Sequence, residues 1–182
     1  MGIADGERIG VWGHSFGGYG VLSLIVQTTR FKAAVDSAGV SNVISWYGQM
    51  GASGSSIYIG QAEESITGGP LWQNRAAFIE NSPVFYLDRV QTPLLILQGT
   101  SDDATNPTHS DQVFVFLRSL GKEVEYVKYK DQVHAPTLWS YPNQIDRLNR
   151  TIGWFDRWLK PATKAPDPAE KPSTRLDQPS QP

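Results

Sequence analysis

The chain has 182 residues, 40% of them hydrophobic and 19% charged, with a formal net charge of −2; that is enough chain to bury the core of one domain. It has no cysteine and only His14, His109 and His134, which excludes disulfides, thiolate catalysis and cysteine-based zinc sites and argues against a histidine-rich metal site. No long basic or acidic run recruits nucleic acid or an anionic membrane, no apolar segment is long enough to span a bilayer, and no basic-then-apolar signal peptide opens the chain. As written, the chain is expected to stay where it is made.

Taken in chain order, Arg8 to Gly13 reads as a short buried strand ended by glycine. Phe16 to Gln27 has apolar residues at helical spacing. Lys32 to Asp36 is a second strand, closed by Ser37-Ala38-Gly39. Asn42 to Gln49 reads as a short helix, and Gly51 to Pro70, rich in Gly and Ser, as a long surface loop. Leu71 to Asn81 is predicted helical, Ser82-Pro83 breaks it, and Val84 to Arg89 is a further short helical piece. Thr92 to Gly99 is the clearest strand: four consecutive apolar residues, Leu94 to Leu97, are typical of a parallel strand covered on both faces. Ser110 to Leu120 is a helix with a stop at Gly121. Val124 to Lys130 interleaves charged and apolar residues, as a half-buried strand near a sheet edge does. Asn143 to Leu159 places Ile145, Leu148, Ile152, Phe155 and Leu159 on one face of an amphipathic helix. From Pro161 onward the composition predicts a disordered tail, which divides the chain into a domain over 1–160 and a tail over 161–182. Strands alternating with helices imply an α/β fold of about four parallel strands joined by right-handed crossovers.

Residues Gly13-His14-Ser15-Phe16-Gly17 fit Gly-x-Ser-x-Gly. Glycine and serine are common, so the pattern alone is a weak signal. A strand before it and a helix after it turn it into a nucleophile elbow, a sharp turn that lifts Ser15 to the C-terminal edge of the sheet in a strained conformation. Gly13 and Gly17 are expected where side chains would collide with the turn, and Gly18 where the helix packs closely. The Phe16 N–H, at the helix N-terminus, is expected to face a developing oxyanion. A serine hydroxyl needs a base, and the base needs a carboxylate. Asp102 and Asp103 follow the Thr92–Gly99 strand, and His134 follows the Val124–Lys130 strand, so three loops at one edge deliver serine, aspartate and histidine in the order this architecture uses. His14 is too close in sequence to act as base and is expected to pack beside the elbow. His109, near a helix start, reads as a solvated or capping residue.

The stretches "ADGERIGVWGHSFGGYGVL", "GGPLWQNRAAFIENSPVFYLDRVQTPLLILQGTSDD" and "SLGKEVEYVKY" resemble the catalytic domain of the prolyl oligopeptidase family of serine peptidases, in family order, over residues 3–160. The resemblance implies the C-terminal part of an α/β-hydrolase fold, with Ser15 as nucleophile, Asp102 rather than Asp103 as orienting acid and His134 as base. No cofactor is implied, and the implied partner is a peptide substrate. It also suggests that Trp46 and Tyr47 lie close to the pocket for the residue before the scissile bond; plain core packing is the alternative. The sequence departs from the family at Gln98, where His is usual, at Thr105-Asn106, where Val-Pro is usual, and at Gln132 and Ala135, which flank Val133-His134 where the family reads Glu-x-His-Gly. Family members carry further strands before the elbow, including a second oxyanion donor, and often a propeller domain; many are exported. The expectation is therefore a truncated, weakly active serine peptidase whose elbow strand lies at an exposed sheet edge and invites self-association. An esterase-like hydrolase and an inactive fragment or interaction module are the alternatives.

Overall fold

The computed structural model describes residues 5–51, 54 and 58–160; the tail expected from 161 lies outside them. Four strands form one parallel sheet in the order β1 (Gly10–His14), β2 (Ala33–Ser37), β3 (Leu94–Gly99) and β4 (Val124–Tyr129). The register pairs His14 with Ser37, Ser37 with Leu97, and Gly99 with Tyr129. All C-terminal strand ends therefore meet at one edge, the edge at which parallel α/β sheets place their sites.

Every residue of β2 and β3 is buried, so the central strands need no polar alternation. One face of the sheet is covered by α1 (Phe16–Ile25) and α5 (Thr108–Ser119). They enclose a core of Leu22, Ile25, Ile96, Val113 and Leu117 with Leu87 of the 3-10 segment Pro83–Arg89. The other face is covered by α6 (Tyr141–Leu159), which packs Trp154 against Val35, Leu95 and Tyr129. A third cluster lies outside the sheet and is built by α2 (Val43–Tyr47), α3 (Tyr58–Ala62) and α4 (Arg75–Glu80) around Trp46, Tyr58 and Phe78. Asn42 caps α2 by accepting from the Ile44 and Ser45 N–H groups at 3.0 and 3.2 Å.

Three expectations from the sequence are corrected. The segment over 51–70 is not simply a surface loop: α3 and a π-helical turn, Glu63–Thr67, occupy its second half. Tyr58 stacks on Trp46 at 4.9 Å, a tertiary contact that overrides the Gly- and Ser-rich composition. The helix expected from Leu71 begins only at Arg75, because Leu71–Gln73 form a turn closed on the Pro70 carbonyl. The third correction is the inward face of α6. Ile145, Leu148 and Ile152 are exposed, the last at 59%, while Trp154, Phe155, Trp158 and Leu159 pack on the sheet. Aromatic rings bury more area than the aliphatic stripe, and they decide the helix rotation.

The strand β1 is an edge of the sheet among the described residues. Trp12 is 49% exposed on it, and Gly10 lies under Phe155 and Leu159, where a Cβ would fall 2.5 Å from the Phe155 ring. The buried strand expected over Arg8–Gly13 is instead a half-exposed edge: Ile9 and Val11 are half-buried, and only Gly13 of β1 is buried. No helix among the described residues is long and apolar enough to cross a membrane.

Candidate active site

The turn from β1 into α1 is a single residue, Ser15, at φ 58° and ψ −121°. This left-handed backbone is rare for a residue with a Cβ and is strained. Gly13 makes the turn possible: a Cβ there would fall on the Gly17 carbonyl. Gly18 lets α1 approach the β2 loop, where a Cβ would lie 2.7 Å from the Gly39 Cα. The expected requirement at Gly17 is not observed, since a Cβ built there meets open space; it is the Gly17 backbone that excludes a side chain at position 13. Phe16 is the first residue of α1, so its N–H has no intrahelical partner and is free for an anion.

Ser15 Oγ stands 2.8 Å from His134 Nε2, and His134 Nδ1 stands 2.8 Å from Asp102 Oδ2. The structure thus brings together Ser15, His134 and Asp102, which the sequence spreads over 119 positions. The Asp102 carboxylate is buried, and its other oxygen accepts from the N–H groups of Ala104 at 3.0 Å and Thr105 at 2.8 Å. These bonds fix the carboxylate as the turn after β3 closes on itself. The Thr105 departure from the family pattern leaves that geometry intact, because only its backbone N–H is used. Asp103 is exposed, and its carbonyl accepts from Gln49 Nε2 at 2.9 Å.

His14 packs beside the elbow, its ring 4.8 Å from that of His134 and its Nδ1 3.1 Å from Ser37 Oγ. Burial and the neighbouring His134 push its pKa down to about 4, so the ring is neutral near pH 7 and cannot compete as a charged neighbour. His109 is neither solvated nor a cap. It is buried on α5, accepts from the Ser41 N–H at 3.3 Å through Nδ1, and is held to about 4 by burial. Its place in the interior is set by long-range packing, which a helix-start position in the sequence does not reveal.

Trp46 is buried in the third cluster. Tyr47 packs edge-on against Phe78 at 5.0 Å and donates to Glu63 Oε1 at 2.7 Å. Both positions fit the packing alternative. Tyr58, stacked on Trp46, has its phenol pKa raised by burial and then by Asp103 and Asp102, which places this aromatic cluster next to the acid loop.

Two residues that sequence reasoning did not single out for the site are Asp36 and Ser110, and Gln98 entered it only as a departure from the family. Asp36 lies on β2 beneath the elbow, fully buried between Gly18 and Gly39; the Gly39 N–H faces its carboxylate and offsets part of the burial, but no group meets either oxygen in full hydrogen-bond geometry. Burial pushes its pKa up to about 7. A lone aspartate inside the apolar strand "AAVDS" was the available signal. Gln98 and Ser110 form a buried pair behind Asp102.

A family model described as the prolyl oligopeptidase family matches residues 1–162. The chain is 35% identical over 156 residues to the uncharacterized peptidase YuxL of Bacillus subtilis, covering 85% of this chain and 23% of that protein. It is 29% identical over 162 residues to dipeptidyl-peptidase 5 of Porphyromonas gingivalis, covering 86% of this chain and 22% of that protein. Among solved structures it is similar to the acylaminoacyl peptidase of Pyrococcus horikoshii, with a TM-score of 0.79 and 29% identity over 90% of this chain and 26% of that one. The chain thus spans about a quarter of the length of these relatives.

Proposed function

The chain belongs to the prolyl oligopeptidase family, and on that premise we propose that it is a serine-type peptidase that cleaves peptide bonds through an acyl-enzyme on Ser15. The observation that carries this reading is the continuous relay from Ser15 Oγ to His134 to Asp102, with both spacings at 2.8 Å. Ser15 attacks the scissile carbonyl while His134 Nε2 takes its proton. Asp102 holds the Nδ1–H tautomer and the imidazolium that forms. The oxyanion is held by the Phe16 N–H, and His134 returns the proton to the leaving amine. Water, deprotonated by His134, then releases the acyl group and regenerates Ser15.

Phe16 N–H is the one oxyanion donor assigned among the described residues. A donor of this kind contributes about 10²–10³ in rate. The open edge of β1, with Trp12 and the Ile145, Leu148 and Ile152 stripe exposed, favours pairing with a second copy of the chain. No metal or organic cofactor enters the mechanism, which draws on side chains and water alone.

The test compares an aminoacyl p-nitroanilide with a p-nitrophenyl acyl ester. The expected result is slow release from both, with an initial burst on the ester, and no release by Ser15→Ala. Ester turnover without any anilide cleavage at high enzyme concentration contradicts the peptidase reading in favour of an esterase. Silence on both substrates contradicts both and leaves an interaction module.

A further inference from the structure

The aspartate of the relay is not held by its own loop alone. Gln98, the penultimate residue of β3 and 0% exposed, donates from its carboxamide nitrogen to Asp102 Oδ2 at 2.9 Å. That is the same oxygen that faces His134 Nδ1. The Gln98 carboxamide oxygen accepts from Ser110 Oγ, in the first turn of α5, at 2.9 Å. Its nitrogen also faces the carbonyls of Gly99 at 3.1 Å and Thr105 at 3.4 Å. The amide orientation is therefore fixed from both ends: acceptors surround the nitrogen and a hydroxyl donor meets the oxygen.

We propose that Gln98, anchored by Ser110, is a positioning residue for the base: it shares the Asp102 oxygen that receives His134 and so sets both the direction and the strength of the aspartate–histidine bond. The proposal rests on the reading of Ser15, His134 and Asp102 above. A carboxylate that accepts a charge-assisted hydrogen bond from a buried amide has part of its charge satisfied, and it attracts a proton on the histidine less than a bare carboxylate does. Gln98 thereby lets His134 release its proton to the leaving group, while the Ser110 anchor stops the carboxylate from turning off the imidazole. Removing the amide leaves a more strongly attracting carboxylate, stabilises the imidazolium, and moves the acid limb of the reaction to higher pH.

The titratable groups facing this pair are few. They are His14 from β1, Tyr58 from α3 and His109 from α5, with Arg147 of α6 acting on His14. Burial keeps both histidines neutral above about pH 4, and it raises Tyr58. None of these three changes charge in the range where the acid limb is read; Asp36, beneath the elbow at about 7, does, and it is common to the wild-type chain and every variant, so the comparison between them isolates Gln98.

The experiment measures the rate of fluorophosphonate labelling at Ser15 between pH 5 and 9 for the wild-type chain, Gln98→Met, Gln98→His and Ser110→Ala. Met keeps the shape without the donor, and His restores an N–H. For Gln98→Met the expected result is about tenfold slower labelling at neutral pH, with the acid limb shifted up by about half a pH unit or more. Gln98→His recovers most of both, and Ser110→Ala gives a smaller shift in the same direction. Thermal unfolding reports whether each variant folds. If Gln98→Met is unfolded, Ser110→Ala decides. Profiles that superimpose, or that fall by one factor at all pH values with an unmoved acid limb, overturn the proposal and leave Gln98 a packing residue. A wild-type chain that is not labelled at Ser15 overturns the underlying reading instead.

Discussion

The two sides of the sheet edge that carries Ser15 are built differently. On the β3 side every polar group around Asp102 is matched: two backbone N–H groups, the Gln98 amide and the His134 ring meet its two oxygens, and Ser110 meets Gln98. On the β1 side Trp12 stands half in solvent, and α6 exposes Ile145, Leu148 and Ile152. Asp102 and His134 thus meet in a hydrogen-bond network that leaves neither Asp102 oxygen without a partner. Ser15 follows a strand that is an edge of the sheet among the described residues, held by its glycines and by β2. The difference separates two properties often treated as one: the spacing of Ser15, His134 and Asp102, and the covering of the strand that leads into Ser15.

The largest effect expected is on the matched side. Asp102→Asn keeps the shape but reverses the tautomer preference of His134, and acyl-enzyme formation should fall by about 10⁴ in stopped-flow assays with an activated ester. A loss under tenfold would mean that the buried carboxylate does not govern the base. Next, Leu97→Ala, fully buried in β3, should cost about 2–5 kcal/mol in chemical denaturation.

Asp36 offers a third test, because it is a fully buried carboxylate on the strand beside the elbow strand. Its pKa is raised on folding, to about 7, so the folded state holds a proton that the unfolded chain gives up near pH 4. Its contribution to stability is fully present below about pH 4, falls as pH rises, and is gone above about pH 7. Asp36→Asn should remove this slope and stabilise the fold at pH 8 by roughly 2–4 kcal/mol. Parallel stability–pH curves for the two proteins would contradict the assignment. The smallest effect belongs to the open flank. Ile152→Ser should change unfolding free energy by less than about 0.5 kcal/mol, yet reduce any concentration-dependent association seen by sedimentation.

Much of this was legible in the sequence because it is written locally. The Leu94–Leu97 run, the Gly-x-Ser-x-Gly turn and the order of Ser15, Asp102 and His134 each depend on near neighbours or on chain order. What was not legible depends on partners far along the chain. Whether α6 turns its aliphatic stripe or its tryptophans inward is decided by the sheet it meets. His109 becomes an interior residue only because Ser41 lies across from it. Tyr58 is ordered by Trp46. Gln98 reads as the polar end of an apolar strand until the fold brings Ser110 and Asp102 to its two ends.

The mechanism stands or falls on Ser15 being a nucleophile activated by His134. The most direct test is to react the folded chain with a fluorophosphonate probe and map the adduct by peptide mass spectrometry, with Ser15→Ala and His134→Ala alongside. The account predicts a single adduct on Ser15, absent in Ser15→Ala and slowed by at least about a hundredfold in His134→Ala. Folded wild-type protein that stays unmodified, or that is modified at Ser15 equally fast without His134, would contradict it.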